Sequence, residues 1–138
     1  MKVTYIGHSG FLIESGSCCC LFDYYQGEIP SLPEDKPLYI FVSHRHQDHF
    51  NPEIFQIAGP KEIHYILSQD TRRYMRDRLS LPNLHFMKAE EFLILTSAGS
   101  DKSLSVKTFH STDCGVAFLV ERDGKNIYHA GDLNWRVW

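Results

Sequence analysis

Four potential metal ligands fall within six consecutive positions of this chain: His44, His46, Asp48 and His49, in Ser43-His44-Arg45-His46-Gln47-Asp48-His49-Phe50. Imidazole nitrogens and a carboxylate suit Zn²⁺ and its neighbours Fe²⁺, Mn²⁺, Co²⁺ and Ni²⁺. Divalent cations held this way lower the pKa of bound water toward neutral and stabilise the negative charge that develops on oxygen during hydrolysis. Such chemistry needs no serine or cysteine nucleophile. A histidine-rich surface loop would share the composition, but this spacing directly after a hydrophobic strand points to a metal site.

The flanking elements explain how such a loop is aimed. Leu38-Tyr39-Ile40-Phe41-Val42 reads as a short buried strand. Asn51-Pro52-Glu53 reads as a helix start, with Asn51 as N-cap and Pro52 at the first helical position. The ligands therefore sit on a loop between a strand end and a helix, where a rigid scaffold can aim catalytic groups.

Along the chain, Lys2 to Ile6, Phe11 to Glu14 and Cys18 to Phe22 read as strands of an antiparallel meander, closed by Asp23. Residues 24–37, with Gly27, Pro30, Pro33 and Pro37, read as a loop. After the metal loop come a short helix over Pro52–Ala58 and a strand over Ile63–Leu67. A second helix, capped by Ser68 or Asp70, runs through about Leu79 and stops before Pro82. It carries Arg72, Arg73, Arg76 and Arg78, offset by Asp70 and Asp77; charge pattern alone favours a solvated face over a phosphate-binding one. Further strands follow at Leu84–Met87, Glu91–Leu95, Leu104–Phe109, Gly115–Glu121 and 126–132. His110 and Asp132 each fall at a strand end, where ligands from distant parts of the chain can converge. His129, inside the last strand, reads as packing or as support behind the ligands rather than as a ligand itself.

The loop resembles the HxHxDH signature of the metallo-β-lactamase-fold hydrolases, residue for residue. The opening Thr4 to Glu14 is similar to one branch, the ascorbate-6-phosphate lactonase-like proteins. The resemblance implies an α+β, four-layer αββα sandwich, here mainly its N-terminal half, with a mixed, largely antiparallel sheet and a few helices. It implies two zinc ions in the complete site, with Mn, Fe or Ni as substitutes. His44, His46 and His110 would hold one ion, Asp48 and His49 the other, with Asp132 between them. Asp48 would also act in catalysis, orienting the nucleophile and taking part in proton transfer. The first hairpin lies beside the metals in such proteins, so His8 is a candidate substrate contact and Asp23 could reach the site's edge.

The function implied is a hydrolase that uses a metal-bound hydroxide against an ester, lactone or phosphodiester. A nuclease of the same superfamily is one alternative. A non-catalytic, self-associating metal-binding module is another. Residues 1–138 are expected to form one domain covering the N-terminal part of the family domain. The exposed remainder of the sheet would favour a homo-oligomer or association with a missing C-terminal half.

Composition sets outer bounds. Apolar residues at 43% and charged residues at 22% describe a globular domain. A net charge of −3 gives no general argument for nucleic acid or an anionic membrane. No apolar run reaches the roughly 18 residues of a membrane span. Partners are therefore expected among small ester, lactone or phosphorylated substrates. Cys18, Cys19, Cys20 and Cys114 read as buried free thiols of a cytoplasmic protein rather than as a disulfide framework.

Overall fold

A computed structural model describes residues 1–97, 102–111 and 115–131. Ten strands are formed: β1 (Lys2–Gly7), β2 (Gly10–Glu14), β3 (Cys19–Phe22), β4 (Leu38–Val42), β5 (Ile63–Ser68), β6 (Leu84–Met87), β7 (Phe92–Thr96), β8 (Ser103–His110), β9 (Val116–Arg122) and β10 (Lys125–His129). Each strand read from the sequence is present, with ends displaced by a residue or two and β10 ending short of the Gly-Asp turn. Asp132, Cys114 and the apolar tail Trp135–Trp138 lie outside the described residues.

The strands form two sheets, in the orders β1-β2-β3-β4-β5-β6 and β10-β9-β8-β7. The first is mixed: β1 to β3 are antiparallel, and β3, β4, β5 and β6 run parallel. The second is wholly antiparallel. Strand β4 is buried along its whole length, as its unbroken apolar run requires. Its Tyr39 and Phe41 join the inter-sheet core with Phe22, Ile66, Val106 and Phe118. The alternate residues Leu38, Ile40 and Val42 face the other way, into a second core with Ile54 and Met75.

That second core is where the structure corrects the expected α-layer. The two helical segments are 3₁₀ turns, at Pro52–Gln56 and at Gln69–Tyr74 with Arg76–Arg78, and the described residues contain no α-helix. Each offers the core little. Ile54 alone is buried in the first, and the second contributes Thr71 and then Met75 at its end. An amphipathic α-helix is held by an apolar stripe, and one contact per turn does not supply one. The Asn51 cap is as expected: its side chain accepts the Glu53 N–H at 2.9 Å.

Two cysteines, Cys18 and Cys20, enter the inter-sheet core, while Cys19 faces the other one. All three are free thiols. A hydrogen bond from Cys20, helped by Ser15 and Arg122, brings the Cys18 thiol down to about 6 against the cost of burial. The same bond and burial push Cys20 up, and burial raises Cys19 to about 11.

Candidate metal centre

Because β3 and β4 are parallel neighbours, with Phe22 beside Phe41, the residues that follow them emerge at one sheet edge. These are Asp23 after β3 and Ser43 after β4. Asp23 turns sharply, at φ 45°, and its N–H donates to Phe41 O at 2.9 Å. Aspartate is among the residues that tolerate this left-handed conformation. Its side chain is buried, and both of its oxygens accept hydrogen bonds. Oδ1 accepts the Ser43 N–H at 2.7 Å. Oδ2 accepts the Ser43 hydroxyl and, at 2.7 Å, His49 Nδ1.

These bonds fix where the imidazole protons sit. An ionised carboxylate can only accept, so His49 must carry its proton on Nδ1. Ser43 gives its own proton to Asp23, so its Oγ accepts from His44 Nδ1 at 3.0 Å. Both histidines thereby keep their lone pair on Nε2, the tautomer a metal ligand needs. One buried carboxylate sets both rings, one directly and one through a hydroxyl.

Two sets of ligand atoms lie within 4.8 Å of one another: Asp23, His44 and His49, and His44, His46 and Asp48. His44 belongs to both. Its ring centroid is 3.9 Å from that of His49 and 4.7 Å from that of His46. Asp23 acts here as the brace of the imidazoles, its Oδ2 accepting from both Ser43 and His49. His44 and His49 are buried, His46 is exposed, and Asp48 lies between, with Oδ2 3.4 Å from His49 Nε2. Three imidazoles and a carboxylate, two of the rings held in the right tautomer, fit a divalent cation. No cysteine takes part in either set.

The second sheet supports the loop from behind. Val116 N–H, at the start of β9, donates to Ser43 O at 2.7 Å. Gly115 (φ +85°) packs so closely that a Cβ there would overlap Ser43 O and His44 Cβ. Gly131 (φ +69°) lets its backbone sit beside Ser43; a Cβ would come to 3.1 Å from Ser43 Cβ and 2.7 Å from Val116 O. In the sequence Gly115 reads as the start of a strand and Gly131 as part of a Gly-Asp turn. Nothing local to either marks the close approach.

The remaining candidates are placed as follows. His110 ends β8 opposite Val116, one strand step from the metal loop. Leu104, Val106 and Thr108, at alternate positions before it, are buried, so His110 belongs to the inward face but stands past the end of the core. Its Nε2 is 3.3 Å from Glu90 Oε1, and its side chain is 70% exposed. The structure does not bring it into either ligand set. Asp132 is not described. His8 lies in the β1–β2 turn at φ 51°, exposed, edge-on to Tyr25. His129, expected to pack, stacks on Phe22 with centroids 5.2 Å apart. Its Nε2 donates to Ser9 O at 2.8 Å, and its Nδ1 accepts the Gly131 N–H at 3.2 Å. Arg45, between two ligands, is tied to the next segment: its N–H donates to Asp70 Oδ2 at 3.2 Å.

Residues 2–136 match the profile of the beta-lactamase superfamily domain. A UPF0173 metal-dependent hydrolase of Desulforamulus reducens is 31% identical over 96% of this chain, which spans 62% of that protein. A candidate metal-dependent hydrolase of Parabacteroides distasonis has a similar structure, with a TM-score of 0.67 at 15% identity, over 95% of this chain and 60% of that one. CmlA, a diiron β-hydroxylase of Streptomyces venezuelae, also shares the fold, with a TM-score of 0.62 at 16% identity over 93% of this chain and 28% of its own.

Proposed function

The chain belongs to the beta-lactamase superfamily, and from that membership we propose that the Asp23-braced loop is the metal centre of a hydrolase acting on an ester, lactone or phosphodiester. The observation that carries this reading is the pair of ligand sets sharing His44, with two of the imidazoles held in the ligand tautomer. His44, His46, Asp48 and His49 would hold the metal. Zinc is the first choice for such donors, two ions in the complete site, and Mn, Fe or Ni suit the same donors. A bound divalent cation supplies Lewis acidity and a lowered water pKa.

The chain's own residues do the rest. Asp48, at the edge of the buried pair, orients the attacking water and accepts its proton. Asp23 keeps the His44 and His49 rings aligned while charge develops. His110 would complete the donor set from the second sheet, supported by its inward register, and Asp132 would add a carboxylate to it. His8 contacts the substrate beside the loop. The similarity of Thr4 to Glu14 supports a place near the lactonase-like branch. Three free buried thiols support a cytoplasmic setting, and no helix among the described residues is long and apolar enough to cross a membrane.

The test is elemental analysis of protein purified without chelator, beside a panel of carboxylic ester, lactone and phosphodiester substrates with and without EDTA. A transition metal should co-purify and the active class should lose turnover with EDTA. A His44→Ala/His46→Ala variant with unchanged metal content would sink the reading.

A further inference from the structure

The parallel part of the first sheet sends three segments to one edge. Asp23 follows β3, the metal loop follows β4, and the arginine-bearing turns follow β5, whose Leu67 pairs with Val42. Ligands of open sheets bind beyond the carboxyl ends of parallel strands. At that edge a cavity of about 520 Å³ is lined by Arg45, Asp70, Arg72, Arg73, Arg76 and Leu79. A neighbouring cavity of about 530 Å³ is lined by Arg45, His46, Phe50 and Tyr74 among others. Arg45 is common to both, so the basic cavity begins one side chain away from a metal ligand.

We propose that the basic cavity is an anion subsite, built to hold the phosphate group of a small substrate while its scissile bond lies at His46. The assignment rests on the hydrolase reading above. Four guanidinium groups face one carboxylate, a local balance of +3 in a chain whose net charge is −3. That carboxylate, Asp70, is engaged by the Arg45 N–H, with the Arg45 guanidinium 4.0 Å away. Asp70 thus fastens the arginine segment to the metal loop. Arg72 lies over the Phe86 ring, 5.1 Å from its centroid, which restricts its freedom before a ligand arrives. Planar, always-charged guanidinium forks match phosphate oxygens in pairs. Phe50 and Tyr74 in the adjoining cavity offer an apolar wall for the body of the substrate.

The same chemistry could serve a nucleic-acid backbone. The arrangement favours a small molecule, because Arg45, Arg72, Arg73 and Arg76 meet at one cavity that adjoins the metal loop. Arg78, the remaining arginine of the segment, lies over Phe55, 5.2 Å from the ring centroid, and borders a separate cavity of about 410 Å³ with Arg73, Arg76 and Asp77. A nucleic-acid surface would spread its cations along several phosphates.

The experiment is calorimetric titration of inorganic phosphate into the full chain at fixed ionic strength. The comparison set is Arg72→Gln/Arg73→Gln/Arg76→Gln, Arg78→Gln and His44→Ala/His46→Ala. The triple variant should bind phosphate at least tenfold more weakly and Arg78→Gln should bind it unchanged. If the triple variant unfolds, Arg76→Gln alone should weaken binding severalfold. Phosphate binding that survives in the histidine variant supports the subsite even if the metal reading fails. Binding that is lost in the histidine variant but kept in the arginine variants would place the anion on the metal and overturn the subsite. A single-stranded oligonucleotide that displaces phosphate with a salt slope of several charges would overturn the small-molecule assignment.

Discussion

The middle strands of the six-stranded sheet, β3 to β5, are covered on both faces, whereas the four-stranded sheet is covered on one. Strand β4 has no exposed residue, with aromatic side chains packed on one side and aliphatic ones under the 3₁₀ turns on the other. On the second sheet, Phe92, Ile94, Phe109 and Tyr128 remain 41–58% exposed. The candidate ligands divide along the same line. His44, His46, Asp48 and His49 follow the doubly buried strand and fall into two overlapping groups that share His44, one of them with Asp23. His110 ends a strand of the singly covered sheet and pairs with an exposed glutamate instead. The strand that launches the metal loop is fixed from both sides, and Asp23 extends that fixing into the loop itself.

The comparison can be broken most severely at the point where the sheets touch. Gly115→Ala should drive a methyl group into Ser43 and His44 from a backbone that already disfavours a side chain. We expect a loss of about 1–3 kcal/mol from overpacking, with strain at positive φ added to it. Chemical denaturation would measure it, and a neutral substitution would mean that the second sheet does not support the loop.

Asp23→Asn keeps the shape of the brace and removes its ability to accept on both sides. One face of the amide would present N–H groups to Ser43 or His49. Metal affinity should fall about 10–100-fold, as when other outer partners of metal-bound histidines are lost. Competition against a chromogenic chelator reads this directly. An affinity within twofold of the wild type would show that the tautomers are set by something else.

His110→Ala sharpens the contrast. If the second sheet contributes a donor only loosely, metal affinity should drop by less than the roughly 10-fold lower bound expected for Asp23→Asn. A loss as large as that from His44→Ala would place His110 among the principal ligands. A loss of nothing would confine the site to the first sheet.

The smallest effect on stability is expected on the bare face. Phe92→Thr/Ile94→Thr should change stability by no more than about 0.5 kcal/mol, as exposed positions usually do. It should nevertheless reduce the self-association that we expect of this apolar surface. Light scattering on both proteins decides it, and a wild type that is monomeric at high concentration would remove the case for association through this face.

Much of this molecule was legible in its sequence. The strands could be read because alternation and short apolar runs are local signals, and β4 with the loop after it stood within single-residue limits. The arginine segment and the Pro52 segment were read too strongly as helices. Local capping signals were present there, but the apolar stripe that would hold a helix down was missing. What the tertiary structure decided lies between segments. Asp23 braces Ser43 and His49 across 20 and 26 residues. Gly115 and Gly131 admit the metal loop, and the arginines gather around Arg45. Periodicity and capping report on neighbours a few positions apart; these contacts depend on which strand lies beside which, and chain spacing alone does not record that.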